Sequence, residues 1–169
     1  MLKSSCKRRC FLRFLAGLAL AWAGLALAGC ASNKELPDKL ITFDFQTVDP
    51  QAGLPLVMPI SGIQYHYIPK SGPNEVDLDG VQIANVQDIS CLQFSFSDSG
   101  LRKLARETAL HEGLKLFTFV NDKPIGVTPI TQPINDGQLY VFVEIPEDQL
   151  QSYTKDLQDS IDRIKQLRK

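Results

Sequence analysis

Two histidines, four cysteines and a few closely spaced acids are the residues of this 169-residue chain with chemistry beyond that of a scaffold. His66 alternates with Tyr65 and Tyr67 on a strand-like stretch, and His111 stands beside Glu112 at the end of a helical one. Zinc sites use sets of ligands at fixed spacings, and neither histidine has a second ligand at such a spacing. Cys91 lies in the apolar run SCLQFSFS, with no histidine or basic cluster to favour its thiolate, so it is expected to pack as a small buried hydrophobe. The acid pairs Asp77/Asp79 and Asp156/Asp159 are expected on solvated faces. No Gly-x-Ser-x-Gly, His-Glu-x-x-His or phosphate loop occurs. With no nucleophile beside a base and no metal or cofactor set, the expectation is a non-catalytic protein. An enzyme built from scattered residues is the weaker alternative.

Cys30 differs from the other cysteines because of what precedes it. Lys3, Lys7, Arg8, Arg9 and Arg13 come with no acid, ahead of an apolar run from Phe14 to Gly29. That is the layout of an export signal. A membrane span needs about 20 apolar residues, more than this run holds. The ending Leu27-Ala28-Gly29-Cys30 resembles the bacterial lipobox, which implies cleavage before Cys30 and acylation of that cysteine. Each buried acyl methylene stabilises attachment by about 0.8 kcal/mol, and stable anchoring needs two such signals, so three acyl chains hold a protein without a span. Ala31 and Ser32 follow, where retention in the inner membrane typically uses Asp. The resemblance therefore implies an outer-membrane anchor facing the periplasm, with the inner membrane as the alternative.

Cleavage removes five of the 18 basic residues and none of the 19 acids, leaving a formal charge of −6. No basic stripe with interleaved aromatics occurs, so no nucleic acid partner is expected. An acidic body gains nothing from anionic headgroups, so contact with the bilayer is expected through the acylated Cys30 alone.

The elements follow from hydrophobic period. Residues 31–39, polar and holding Pro37, read as a tether. LITFDFQ (40–46) and QYHYIP (64–69) alternate with period two, as half-buried strands do. Between them DPQAGLPLVMPISG is irregular with a short strand near Leu56–Met58, and VDLDGVQIANVQDI fits neither period cleanly. CLQFSFS (91–97) reads as a strand. Ser97 or Asp98 caps a helix carrying Leu101, Leu104, Ala105, Thr108 and Ala109, which Gly113 stops. LKLFTFVN (114–121) and QLYVFVEI (138–145) are strands. Pro146 opens a last helix whose stripe of Leu150, Tyr153, Leu157, Ile161, Ile164 and Leu167 is expected to dock on the sheet.

PIGVTPITQPINDG (124–137) decides between tail and module. Pro124, Pro129 and Pro133 lack the Pro-x-x-Pro period of a polyproline ligand. The β-branched residues between them argue against a disordered linker. The segment is expected to be extended edge structure, since proline is tolerated where its missing N–H faces away from a ladder. NDG then turns the chain into Gln138.

From Phe94 to about Leu150 the chain resembles the periplasmic head subdomain of SecD, a membrane subunit of bacterial protein export. The residues that carry the likeness are Phe96, Gly100, Lys103, Ala105, Thr108, Gly113, Leu116, Asn121-Asp122, Gln132-Pro133-Ile134 and Gly137, with LDGVQIANV (78–86) before them. Thr128, Asp122, Gln132 and Asp136 depart from the family pattern. The resemblance implies architecture more than activity. SecD works through charged transmembrane helices driven by proton-motive force, and no span is expected here after the signal, so a proton-driven motor is not expected.

The expectation is therefore an α+β fold, a mainly antiparallel sheet with two helices packed on one face. Residues 1–29 are a lipoprotein signal peptide, 30–39 an acylated cysteine and polar tether, and 40–169 one domain. The expected function is that of an envelope lipoprotein that binds exported or envelope proteins, with a client-free structural lipoprotein as the alternative. The partner surface is expected around Pro124, Pro129, Gln132 and Pro133 and in the groove beside the first helix.

Overall fold

The computed structural model describes residues 40–47, 53–67, 69 and 72–169. The signal, Cys30 and the tether lie outside them. The described residues form one compact unit. Its elements are β1 (Phe43–Thr47), β2 (Leu54–Val57), β3 (Gln64–Tyr67), a 3₁₀ turn (Glu75–Asp77), β4 (Leu78–Val86), β5 (Ile89–Phe96), α1 (Asp98–Leu110), β6 (Lys115–Val120), β7 (Lys123–Pro129), β8 (Gln138–Val143) and α2 (Glu147–Leu167). Six strands make one antiparallel sheet in the order β1-β6-β7-β8-β5-β4, and β2 and β3 pair separately.

The pleat sorts each strand into two faces. Leu92, Phe94 and Phe96 of β5 and Leu139 and Val141 of β8 point to one face, where Leu104 of α1 and Leu150, Leu157 and Ile161 of α2 cover them in a single core. The expected docking of α2 through its apolar stripe holds, and Leu167 alone of that stripe is well exposed. The other face is covered only in part. Leu56, Met58, Tyr65 and Tyr67 of the β2–β3 segment pack on Phe117 and Phe119 of β6 and Val127 of β7, forming a second cluster. Over β4, β5 and β8 the same face is a row of neutral amides. There Gln82 donates to Gln93 at 2.8 Å and Gln93 to Gln138 at 2.9 Å.

Local signals worked where they were self-contained. Ser97 Oγ accepts from the Gly100 amide at 3.3 Å and caps α1. The segment 78–86, which fits neither period, is a nine-residue strand joined to β5 through Gln87 and Asp88. Those two residues, like Asn121 and Asp122 between β6 and β7, have φ between +50° and +64°. Positive φ at both central residues is the tight-hairpin geometry that matches the strand twist. Cys91 is buried, its Sγ 3.4 Å from the Ala84 carbonyl, and burial pushes its thiol pKa up.

Two expectations are corrected. Asp77 is not on a solvated face: it is 2% exposed. Its carboxylate accepts from Lys103 Nζ at 2.7 and 3.0 Å and from the Asn74 amide at 3.1 Å. Its carbonyl also accepts from the Ser97 amide at 2.9 Å, tying the 3₁₀ turn to the start of α1. A Cβ on Gly100 would lie 2.5 Å from that carbonyl, so α1 approaches the turn this closely only with glycine there.

The second correction is that β7 is not an edge strand. It lies inside the sheet, between β6 and β8. Proline is tolerated there because Pro124 and Pro129 stand at its ends, while its pairing with β8 is confined to Gly126 and Val127. The edges of the sheet are β1 and β4.

Candidate functional site

A groove of about 670 Å³ opens where β7 and β8 part. The two strands meet closely at Gly126, where a Cβ would lie 2.6 Å from the Phe142 carbonyl oxygen. Beyond Val127 they pair no further. The chain after β7 then turns toward α1: Ile130 is buried, its amide donates to the Leu114 carbonyl at 2.9 Å, and the Ile134 amide donates to Thr108 Oγ1, also at 2.9 Å. That detour leaves β8 without a neighbouring strand on its β7 side over Gln138–Tyr140 and makes the groove.

Pro129, Gln132 and Pro133 line this groove. Pro124 does not. It stands at the far end of β7, opposite Phe119 of β6. The flank of α1 is filled by the chain itself, through the Ile134–Thr108 bond and buried Ile130. Thr128, Thr131, Ile134, Asn135, Asp136, Gln138 and Tyr140 complete the groove, and of these Asn135, Asp136, Gln138 and Tyr140 lie outside the stretch where a partner surface was expected. Tyr140 carried the only available signal, an outward position in the alternation of β8, where it is 37% exposed. Asp136 is the one charged lining residue, so the groove mixes polar and apolar surface, is neutral over most of it and is weakly acidic.

The β2–β3 segment is held down by more than its apolar contacts. Glu144, just past β8, accepts from the amides of Ile60 and Ser61 at 2.8 and 3.1 Å. Burial pushes the Glu144 pKa up, but the Ser61 hydroxyl and these two amides outweigh it, and the net shift is below its ordinary 4.5. A depressed folded-state pKa stabilises the fold above the unfolded value, and that stabilisation is lost as pH falls through the folded value. The Ile60 and Ser61 amide resonances are therefore expected to shift with a midpoint below 4.5 as the solution is acidified, and to stay flat in Glu144→Gln. Titration of both amides in Glu144→Gln would show that another group controls the turn.

A second hollow of about 550 Å³ lies beside β1, with Asp44, Glu75 and Asp122 on its walls. Burial raises the Asp44 pKa against the lowering effect of hydrogen bonds from Gln46 and the Phe45 amide. Among the described residues no three His, Cys, Asp or Glu side chains are grouped to hold a metal. His66 is exposed on β3. His111 Nδ1 lies 2.8 Å from the Glu107 carbonyl oxygen at the end of α1. Among the described residues no helix is long and apolar enough to cross a membrane.

The fold has solved counterparts. One is SecDF in a super-membrane-facing form, which matches with a TM-score of 0.55 and 15% identity over 72% of this chain and 18% of that one. Another, described as a membrane component SecDF that enhances protein export, matches with a TM-score of 0.56 and 15% identity over 74% of this chain and 63% of that one. The domain shares its fold with part of SecDF. The chain spans less than two thirds of either counterpart. No protein-family model and no curated protein matches the chain.

The residues that carried the likeness in sequence prove to be joints of this fold. Gly100 admits the Asp77 carbonyl, Lys103 binds the Asp77 carboxylate, Thr108 holds the Ile134 amide, and the Gly137 carbonyl accepts from the Phe96 amide at 3.0 Å. Gln132, Pro133 and Ile134, which also carried the likeness, line the groove.

Proposed function

We propose that this protein is a non-catalytic lipoprotein of the bacterial envelope whose SecDF-like domain binds other polypeptides as an accessory to export or assembly. The observation that carries the reading is the fold it shares with a protein described as enhancing protein export. The groove beside β8 supports it, being lined by prolines, amides, hydroxyls, one isoleucine, one aspartate and one tyrosine. The anchor is the acylated Cys30, placing the domain on the periplasmic side of the outer membrane, with the inner membrane as the alternative.

Two measurements test the reading. Cys30→Ser is expected to move the protein from the membrane to the soluble fraction and to abolish its acyl mass. A native protein that retains residues 1–29 and carries no acyl group would remove the anchor. For the partner, residues 38–169, which hold both apolar clusters, are used as bait in periplasmic extract with cross-linking. Enrichment of unfolded or partly folded envelope polypeptides is expected, and its loss is expected when Gln132 and Tyr140 are replaced together. No enriched protein at low salt would leave a structural lipoprotein without a client.

A further inference from the structure

The sheet offers unpaired backbone in its middle as well as at its margins. Toward β5, strand β8 is paired from Gln138 to Val141, but toward β7 only Phe142 and Val143 are paired. Alternation along an antiparallel strand turns the amide and carbonyl of Gln138 and Tyr140 to the same side as those of Phe142, that is, toward the groove. Two of these four groups are held by side chains. The Tyr140 carbonyl accepts from Thr128 Oγ1 at 2.6 Å, and the Gln138 amide donates to Asp136 Oδ1 at 3.0 Å. Among the described residues no backbone group of residues 128–136 pairs with them. The outer edges are protected in part. Gln158 accepts from the Val81 amide and Lys165 donates to the Asp79 carbonyl along β4, while residues 73 and 74 bridge β1.

The geometry points to strand addition. An extended segment of another polypeptide enters the groove and pairs its backbone with Gln138 and Tyr140, displacing the Thr128 hydroxyl and the Asp136 carboxylate. This rests on the polypeptide-binding reading and specifies the mode of recognition. An extended chain is the ligand that presents donors and acceptors alternately along one side, at the spacing a strand edge requires. The Asp136 contact is a local side-chain bond to backbone, the kind that competes with a ladder, and the Thr128 hydroxyl reaches across the groove to stand in for a strand donor. Asp136 is the only charged side chain of the groove, so the segment carries Lys or Arg rather than Asp or Glu at that end. A second copy of this chain is the poorer donor, because Gln158, Lys165 and residues 73–74 engage part of its edges and the remaining stretch of β4, residues 82–86, carries no Lys or Arg to meet Asp136.

The test uses the full chain in detergent and a short fluorescent peptide of alternating Thr and Val with a terminal Lys. Its counterpart is methylated on the amide nitrogens of one edge, which removes donors without changing side chains. Methylation is expected to weaken binding roughly tenfold, the loss of one to two net hydrogen bonds. Thr128→Val, which releases the Tyr140 carbonyl, is expected to tighten the unmethylated peptide about threefold, and Asp136→Asn to lower its preference for Lys over Glu. Equal affinity of the two peptides, no binding of the unmethylated one, weaker binding by Thr128→Val, or a dimer forming in place of the complex each overturns strand addition. If polypeptides are still captured from extract in any of these cases, the binding function stands and only the mode fails.

Discussion

Phe94→Ala is expected to destabilise the domain by about 3–5 kcal/mol, the range for deleting a fully buried aromatic ring. Phe94 is 0% exposed. Its ring stands edge-to-face with Phe43 and Phe45, centroids 6.1 and 5.4 Å away. Phe45 in turn meets Phe96 at 5.1 Å. Phe43 and Phe45 come from β1 and Phe94 and Phe96 from β5, which are not neighbours in the sheet. The ring thus joins the two halves across their shared face, and a cavity there cannot close by a local shift of one strand. Small domains have only about 5–15 kcal/mol of total stability, so this change takes up a large part of it. Urea unfolding measures it. A loss near 1 kcal/mol would mean that the core collapses around the cavity, and that β1 is not fixed by these contacts.

Lys103→Met is expected to cost about 3–5 kcal/mol, and more than Asp77→Asn. Removing one partner of a buried pair leaves an uncompensated charge. The asymmetry follows from exposure. The Lys103 side chain is 43% exposed and the Asp77 side chain 2%. A lysine that loses its partner rehydrates, whereas the carboxylate left by Lys103→Met stays enclosed with the Asn74 amide and Ser99 hydroxyl as its remaining donors. Asp77→Asn removes the charge together with the need for its partner, and keeps an oxygen for the Asn74 amide. Parallel denaturation of the two variants gives the comparison. If Asp77→Asn proves the more damaging, the carboxylate acts mainly as a cap for the 3₁₀ turn and the lysine is dispensable.

Much of the architecture was present in the sequence because it depends on near neighbours. The stripe of α2, the cap at Ser97, the strands around Phe94, Phe117 and Val141 and the burial of Cys91 each follow from a period or a short-range hydrogen bond. The α+β class followed from them, and so did the likeness to the SecD head. The candidate site was legible only in pieces. Pro129, Gln132 and Pro133 were named and do share a groove, but Pro124 was grouped with them on sequence proximity and stands at the other end of β7.

What the sequence by itself determined was the identity of most elements, β4 excepted, and which side of each is apolar, since side-chain period is written along the chain. It also carried the signal-like leader and Cys30 that motivate the proposed anchor. Tertiary structure alone decided the order of the strands, and with it the interior position of a proline-bearing strand, since proline at the ends of a short ladder leaves the same local pattern as proline on an edge. It likewise decided that Asp77 is enclosed, because its partner Lys103 lies 26 residues away. The parting of β7 from β8 belongs to the same class: it arises where Gly126 lets two strands cross closely and Ile130 and Ile134 draw the chain aside, and neither event leaves a periodic trace.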